Sequence, residues 1–473
     1  MRFIYGLVLC VMIFFGIDWF VHNASYIPGY GDTAEYLARS KTLVVDQYRT
    51  IFYPLVLRLC GIFHNGNTTP FIFWTYLIQA LLVAASSAIY ATAVFRLFDA
   101  PALTIKVRLF VTVLMILLVV TNPLVAHFSL SIMSDSLASS FTVATIGAMA
   151  HLVRSVGATP NAARSPWLPT AALCLFLMAV SRVDKLYMGI ALAFMLIIYM
   201  WIGLKRLPRS QLAIVGAPLF VALVAAITVN HFTQVPDADR PAINLSNLAF
   251  NRVVWPRLSQ VYPYLPSDAK ALISPGDAKW FDEHNNHVYL YLDKLLKGRP
   301  ENQRIIDEVT TTTLKYFPGR VVAKTVFDVA KYAVPNVSFP LELLSLLPES
   351  TATDWTYSRM SQAHPSMTRL WLIISNISFY LIQLPFAVLY LYRRHLQRWW
   401  EQPLAFLTVA CIGCNAVMFG LEAGMDAHIR YALPTFIMIF ELISVASLMW
   451  LFDRSGSKSV PGPRERSDAL RFE

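Results

Sequence analysis

Residues 28–54 read PGYGDTAEYLARSKTLVVDQYRTIFYP, a charged stretch between two long apolar segments. Asp32 follows two glycines that permit a tight turn, and Glu35 comes three residues later, a spacing typical of a helix start. The helical period places Glu35, Tyr36 and Arg39 on the same face as Asp32. Carboxylates beside cations at a membrane edge make this loop a candidate reaction site, with a plain capping box as the structural alternative.

The composition of the chain is that of a membrane protein. Hydrophobic residues make up 56% of its 473 residues, charged residues 14%, and the mean hydropathy is +0.51. Soluble domains carry about 25% charged residues. The net charge of +10 lies mostly in short clusters beside apolar segments. That distribution is typical of membrane orientation signals rather than of a phosphate-binding face, so we predict a membrane environment and no nucleic-acid partner.

Ten apolar windows predict an all-α polytopic membrane protein with about ten transmembrane helices. They cover residues 3–21, 71–95, 109–127, 136–153, 167–181, 186–204, 212–230, 369–392, 403–421 and 433–452. The first window is interpreted as a retained span rather than a signal peptide. The fifth and sixth windows are close together, so we expect short or broken helices there. The run IFYPLVLRLCGIF at 51–63 is too short to cross and is expected at the interface.

Basic residues between the windows orient the spans. With a cytoplasmic N-terminus, every short loop on the cytoplasmic side is basic, as the positive-inside rule requires. The predicted organisation is an N-terminal transmembrane module at 1–230 with an outer loop at 22–70, a mostly helical outer domain at 231–368, a C-terminal transmembrane module at 369–453 and a cytoplasmic tail at 454–473. Within the outer domain, 300–317 and 318–335 read as helices opened by prolines. The second is amphipathic enough to lie along the bilayer.

Several basic residues lie on the predicted outer face, although short outer loops of membrane proteins are normally poor in lysine and arginine. They are Arg49, Arg182, Lys185 and Arg430. Cations close to lipid headgroups suit the phosphate of a lipid-linked substrate. The supporting candidates on the same face are Glu35, Asp46, Arg49, Asp135 and His428. Each has a structural alternative: Asp135 as a helix cap, Arg182 paired with Asp184, and His428 as a structural histidine.

Other polar positions are given structural interpretations. Glu441 would lie inside the membrane, where ionisable groups are costly and often functional, but an interhelical hydrogen bond is the simpler expectation. The stretch FDEHNNH at 281–287 has ligand-type side chains, and a solvated helix face is favoured over a metal site. Cys411 and Cys414 lie in an apolar window and are interpreted as small hydrophobes. No metal ligand and no cofactor are assigned, and a requirement for a divalent metal stays open.

Four segments resemble those of a known enzyme superfamily. They are GYGDTAEYLARS at 29–40, YRTIFYPLVLRL at 48–59, IMSDSLASSF at 132–141 and IRYALPTF at 429–436. They are similar to the GT-C glycosyltransferases, especially bacterial relatives of protein O-mannosyltransferases and aminoarabinose transferases. The resemblance implies a GT-C-like fold and transfer of a sugar from a polyprenyl-phosphate donor to a lipid, glycan or protein acceptor. It implies that Asp32 is the base and that Arg430 lies near the lipid phosphate, on the periplasmic face of a bacterial inner membrane.

The chemistry of the loops agrees with that resemblance. Inverting transfer needs a base on the acceptor hydroxyl and positive charge beside the departing phosphate. Asp32 would be the base. The positive charge beside the phosphate would come from Arg182, Lys185 and Arg430. The alternatives are a lipid-sugar flippase or secondary transporter, whose sites usually lie near the membrane midplane, and a non-catalytic scaffold. Because the charges gather at the outer ends of the predicted spans, we favour the enzyme.

Overall fold

The computed structural model describes residues 2–23, 31–46, 49–62, 68–98, 105–158, 162–203, 208–235, 257–283, 302–333, 370, 374–375, 377–393, 402–422 and 428–453. The helices and strands of residues 2–235 are α1 (Arg2–Asn23), α2 (Gly31–Thr42), β1 (Val45–Asp46), α3 (Phe52–Ile62), α4 (Thr68–Leu97), α5 (Ile105–Val120), α6 (Pro123–Ser129), α7 (Ser134–Ala158), α8 (Trp167–Ser181), α9 (Val183–Gly203), α10 (Arg209–Thr233) and β2 (Gln234–Val235). The second domain contributes α11 (Leu258–Val261), α12 (Ser267–Leu272), α13 (Pro275–Glu283), α14 (Asn302–Tyr316) and α15 (Pro318–Ala333). A π-helix (Ser378–Gln383), α16 (Leu384–Arg393), α17 (Pro403–Glu422) and α18 (His428–Asp453) follow. Two short 3-10 helices are formed by Ala162–Arg164 and Tyr262–Tyr264.

Among the described residues, five helical segments are each long and apolar enough to cross a membrane. They are Phe71–Leu97, Ser134–Ala158, Val183–Gly203, Arg209–Thr233 and Ala432–Trp450. The bent pair α5–α6 would make a sixth, and shorter apolar helices occupy the remaining predicted windows. The prediction of an all-α polytopic membrane protein is confirmed. The spans of the shorter helices, and the side of the membrane each loop faces, stay predictions.

The third predicted window is bent rather than straight. α5 and α6 meet at an angle of 68° across Thr121 and Asn122. The Asn122 side chain accepts a hydrogen bond from the amide of Leu124 at 3.0 Å, and Pro123 follows as the first helical residue. Proline lacks the amide that would continue the α5 ladder, so the chain ends one helix and caps the next. Hydropathy alone does not reveal this bend because both arms are apolar.

α7 lies at the centre of the bundle. Every residue from 134 to 153 is buried, although the helix carries many serines and threonines. Their hydroxyls bond backward along the helix, as Thr142 does to the carbonyl of Ala138 at 2.7 Å. At Gly147 the backbone of α4 comes so close that an added Cβ would lie 3.1 Å from the Tyr90 nitrogen. Small residues of this kind let membrane helices pack closely without large side chains.

The described part of the second domain is helical and has its own apolar core. Leu258, Phe281, Ile306 and Val309 belong to that core. α14 and α15 lie where the proline-opened segments predicted helices. α15 packs on α17. Its apolar residues Val322 and Val326 are nevertheless exposed. The interpretation that its amphipathic pattern lies along the bilayer stays a prediction.

The bundle end formed by the C-termini of α4 and α7 is rich in arginine. The guanidinium of Arg154 donates to the backbone oxygen of Arg96 at 2.6 Å and to Oε1 of Gln402 at 3.1 Å. The ring of His151 stacks on Trp167, with 4.1 Å between the centroids. Loops that the basic clusters assign to one side of the membrane are thus together in space. The predicted cytoplasmic identity of that side remains a prediction.

Candidate active site

Arg182 joins three helix ends at the opposite end of the bundle. It is the one residue between α8 and α9, and its backbone is extended, with φ of −157° and ψ of 148°. Its Nη1 atom donates to Asp135 Oδ1 at 2.6 Å and its Nε atom to Asp184 Oδ1 at 2.8 Å. Asp135 is in the first turn of α7 and Asp184 in the first turn of α9. The short or broken helices predicted here are thus two helices separated by one residue, Arg182, whose guanidinium binds two carboxylates.

Lys185 extends this ion network into the bundle. Its ammonium lies 3.5 Å from Asp184 Oδ2 and donates to Asn415 Oδ1 at 3.1 Å. The amide of Asn415 in turn donates to Thr435 Oγ1 at 3.5 Å. Only 4% of the Lys185 side chain is exposed, against 16% for Arg182. Arg182 is therefore the more accessible of these two cations, and Lys185 lies behind it against α17 and α18.

The first-loop helix α2 is fixed on the start of α7. Thr33 donates from its hydroxyl to the backbone oxygen of Ile132 at 3.3 Å. One turn later the Tyr36 hydroxyl lies 2.8 Å from Ser134 Oγ, next to Asp135 in sequence. These two contacts come from consecutive turns of one helix face, so they set both the position and the rotation of α2.

Arg49 and Glu35 hold the rest of the loop around Tyr36. The Arg49 guanidinium lies 4.9 Å from the centre of the Tyr36 ring and forms an ion pair with Glu35. Glu35 also accepts from Arg39 at 2.9 Å, one helical turn along α2. A cation over an aromatic face and beside a carboxylate is attracted by both groups. In the capping-box alternative Glu35 turns back to the helix start, whereas here its carboxylate binds two arginines.

The two short strands, β1 and β2, connect the first loop to the end of α10. Leu43 ends α2 with a left-handed φ of 56°, and its amide bonds to the oxygen of Arg39 at 2.7 Å, which turns the chain into β1. β1 and β2 pair in parallel, with Val45 opposite Gln234. The Gln234 side chain donates to the backbone oxygen of Arg49 at 2.9 Å. The first loop is therefore bound to the segment that follows α10.

Burial sets the ionisation of Tyr36. The residue is 7% exposed, and desolvation raises the pKa of its phenol above the ordinary value of 10.0. The positive charges of Arg49 and Arg182 and the hydrogen bond with Ser134 oppose that shift without cancelling it. Tyr36 is therefore a neutral hydrogen-bonding group at physiological pH. Its hydrogen bond with Ser134 holds α2 against the start of α7.

The structure brings together five of the predicted site residues through their side chains. Glu35 and Arg49 lie around Tyr36, and Asp135, Arg182 and Lys185 form the ion network. For four others the structure describes the backbone alone. Asp32 is in the first turn of α2, Asp46 is in β1, and His428 and Arg430 are in the first turn of α18. Their roles stay predictions.

The sequence analysis did not identify two residues that make positioning contacts in the site, Asn415 and Ser134. Asn415 is an amide inside an apolar window, which is itself a signal because a polar group in a membrane helix requires a partner. Ser134 carries no such signal, since serine is frequent at helix starts. No group of three potential metal-ligating side chains occurs in the part of the chain that the structure describes. Asp282 of the FDEHNNH stretch accepts from the amide of Ser259 at 3.1 Å, a capping role for α11.

Comparisons with known proteins give a distant likeness. Two crystal structures of ArnT from Cupriavidus metallidurans, one in the apo state and one bound to undecaprenyl phosphate, are each 12% identical in sequence to this chain. Both alignments cover 93% of this chain and 77% of the ArnT chain, with TM-scores of 0.36 and 0.34. Those scores are too low to establish a shared fold. No protein-family model and no curated protein sequence matches the chain.

Proposed function

We propose that this chain is a GT-C-type membrane glycosyltransferase that moves a sugar from a polyprenyl-phosphate donor to an acceptor hydroxyl. The observation that carries the proposal is the position of α2, the helix that contains Asp32. This helix is hydrogen-bonded to the start of α7, where Asp135 binds Arg182. The helix that carries Asp32 and the arginine-containing network thus share one end of the bundle. We place this end at the outer face of the membrane because of the orientation of the basic loops, and the resemblance of the four segments implies that this face is the periplasmic side of a bacterial inner membrane.

Asp32 is the proposed base. It directly precedes Thr33, whose hydroxyl is anchored on α7, and lies one helical turn before Tyr36. In the reaction its carboxylate takes the proton of the acceptor hydroxyl while the acceptor oxygen bonds to the anomeric carbon of the sugar. The bond from that carbon to the donor phosphate breaks, and the phosphate keeps the electron pair. The sugar is transferred with inversion.

Charge balance indicates which cation matters most for the phosphate. The two positive charges of Arg182 and Lys185 are balanced by the two negative charges of Asp135 and Asp184, so the net charge of these four groups is already zero. A lipid phosphate brought to them adds negative charge that a further cation must offset. Arg430 is the proposed source, because it is in the first turn of α18, where the helix dipole also favours an anion. Arg182, the more exposed member of the network, would then contact the phosphate beside it.

One of the solved ArnT structures holds undecaprenyl phosphate, a lipid of the class proposed here as donor carrier. The likeness is too low for the proposal to rest on it. The support comes from the first-loop resemblance and from the contacts at this end of the bundle.

The proposal is tested by incubating the purified protein in lipid nanodiscs with a panel of polyprenyl-phosphate sugars and with mixed membrane acceptors. The expected result is consumption of one donor with release of polyprenyl phosphate. Asp32→Asn should reduce that rate by about 10²–10⁴-fold, since an amide cannot accept the proton. The unfolding temperature should stay close to that of the parent, because asparagine serves as well as aspartate at a helix start.

Asp268→Asn is the matched control, because Asp268 is an exposed acid of the second domain, paired with Arg304 at 2.6 Å. It should leave donor consumption unchanged. Near-normal turnover by a stable Asp32→Asn protein would reject the base. Donor binding or movement across the membrane without consumption, in the parent protein, would instead favour the flippase or transporter alternative.

A further inference from the structure

Glu441 is a carboxyl group sealed in the middle of an apolar helix. It lies halfway along the apolar segment Ala432–Trp450 of α18 and has 0% exposure. Among the described residues, neither of its oxygens has a hydrogen-bond partner. The Ser87 hydroxyl on α4 is the polar group that faces it, and that hydroxyl also lacks a hydrogen bond in the described part of the chain. Ser87 is therefore placed as the interhelical partner for the hydrogen bond that the sequence predicts for Glu441.

The groups around this carboxyl are polar but uncharged. Tyr90 on α4 bonds to Thr408 on α17 at 2.9 Å, and its phenol is within electrostatic range of Glu441 and of the Cys411 thiol. The nearest cation along this path is Lys185, which interacts with Cys411. On the other side, Ser444 bonds to Gln383 at the end of the π-helix. The described residues of the other helices packed on α18 place no cation or second carboxylate against Glu441.

An ionised carboxylate could not be held in such surroundings. A charge removed from water needs a counter-ion or several hydrogen bonds, and the described neighbours supply neither. Ionisable groups at this depth are accordingly functional candidates whose partner has to be identified. A neutral carboxylic acid differs from the carboxylate in having an O–H donor. One proton would therefore satisfy both orphaned groups, because the acid could donate to the Ser87 oxygen.

We propose that Glu441 and Ser87 form an intramembrane proton-binding site between α4 and α18, with the proton as its ligand. The site shares no hydrogen bond or ion pair with the network of Arg182 among the described residues, and the inference does not depend on the glycosyltransferase assignment. Proton release leaves a carboxylate and transfers the proton to water, so it requires water to enter between the two helices. The neighbouring π-helix is a local irregularity of the kind often found at functional sites. We therefore expect the proton to be bound when α4 and α18 are in contact and to be released only when water separates them.

Infrared spectroscopy of the purified full-length protein in nanodiscs tests the site directly. At neutral pH, where an exposed glutamate is ionised, the carbonyl stretch of a neutral carboxylic acid should be present. It should disappear in Glu441→Gln and persist in the control Glu283→Gln, which removes a glutamate whose side chain is 55% exposed. Ser87→Ala should shift the band to higher frequency, because the acid loses its acceptor. If Glu441→Gln fails to fold, the frequency shift of the acid band in Ser87→Ala tests the site without it.

Two outcomes would overturn the proposal. The first is a spectrum with no neutral-acid band that depends on Glu441 or Ser87, which would show an ionised carboxylate. The second is loss of the band when sodium chloride replaces choline chloride at constant pH. That result would identify the ligand as a metal cation that displaces the proton.

Discussion

The Nη1 atom of Arg182 lies 2.6 Å from Oδ1 of Asp135, a residue 47 positions earlier in the chain and at the start of a different helix. Asp135 is 3% exposed, so the pair is buried on the carboxylate side. The contact fixes the start of α7 against the break between α8 and α9. Because α2 is anchored one residue before Asp135, the same contact determines where the first loop sits.

Removing Arg182 should destabilise the protein strongly. Arg182→Met leaves two carboxylates, Asp135 and Asp184, without their guanidinium, and an unpaired buried charge costs about 3–5 kcal/mol. Arg304→Ala is the control, since its bond to Asp268 is also 2.6 Å long but both side chains are about 60% exposed. Exposed pairs contribute about 0–1 kcal/mol. Equal losses of unfolding free energy in detergent would contradict the role of burial.

Tyr36 should make stability fall at alkaline pH. Its folded-state pKa is raised above 10.0, so above that pH the unfolded chain loses a proton that the folded chain retains. The contribution is present below the unfolded pKa and is lost as the pH rises from there towards the folded pKa. Parent protein should therefore lose more stability than Tyr36→Phe between about pH 9 and pH 11. Parallel curves for the two proteins would show that the phenol is not buried.

Donor-phosphate affinity should depend on Arg430. The role proposed for Arg430 predicts that Arg430→Ala weakens the binding of polyprenyl phosphate at least tenfold, or about 1.4 kcal/mol, because a cation that offsets the phosphate charge is lost. Arg430→Lys should recover part of that loss, because it restores the charge without the planar fork. Arg209→Ala is the control, at the start of α10 and therefore at the other end of the bundle. Unchanged lipid binding by Arg430→Ala would remove this residue from the site.

The predicted membrane orientation can be checked by labelling. Ser210, in the first turn of α10, and Ser267, at the start of α12, are both exposed and are predicted to lie on opposite sides. Single cysteines at these positions, in a background without the five native cysteines, should react with an impermeant reagent from opposite faces of sealed vesicles. Labelling of both from the same face would refute the orientation and the periplasmic assignment of the second domain.

Local properties of the sequence determined the helical framework. Long apolar windows predict helices because an isolated backbone in lipid has to satisfy its own hydrogen bonds. Prolines at the start of a segment predicted where α15 begins, and the charge of the first loop singled out the helix that carries Asp32. These features depend on neighbours a few residues apart, so the sequence itself displays them.

Tertiary structure alone decided which side chains meet. Tyr36 bonds to Ser134 across 98 residues and Lys185 to Asn415 across 230. Glu441 faces Ser87 although an apolar helix gives no sign of which neighbour it will contact. The apolar faces of membrane helices are chemically alike, so hydropathy does not choose their partners. That choice comes from close packing at small residues such as Gly147 and from the few polar groups that must pair once water is excluded.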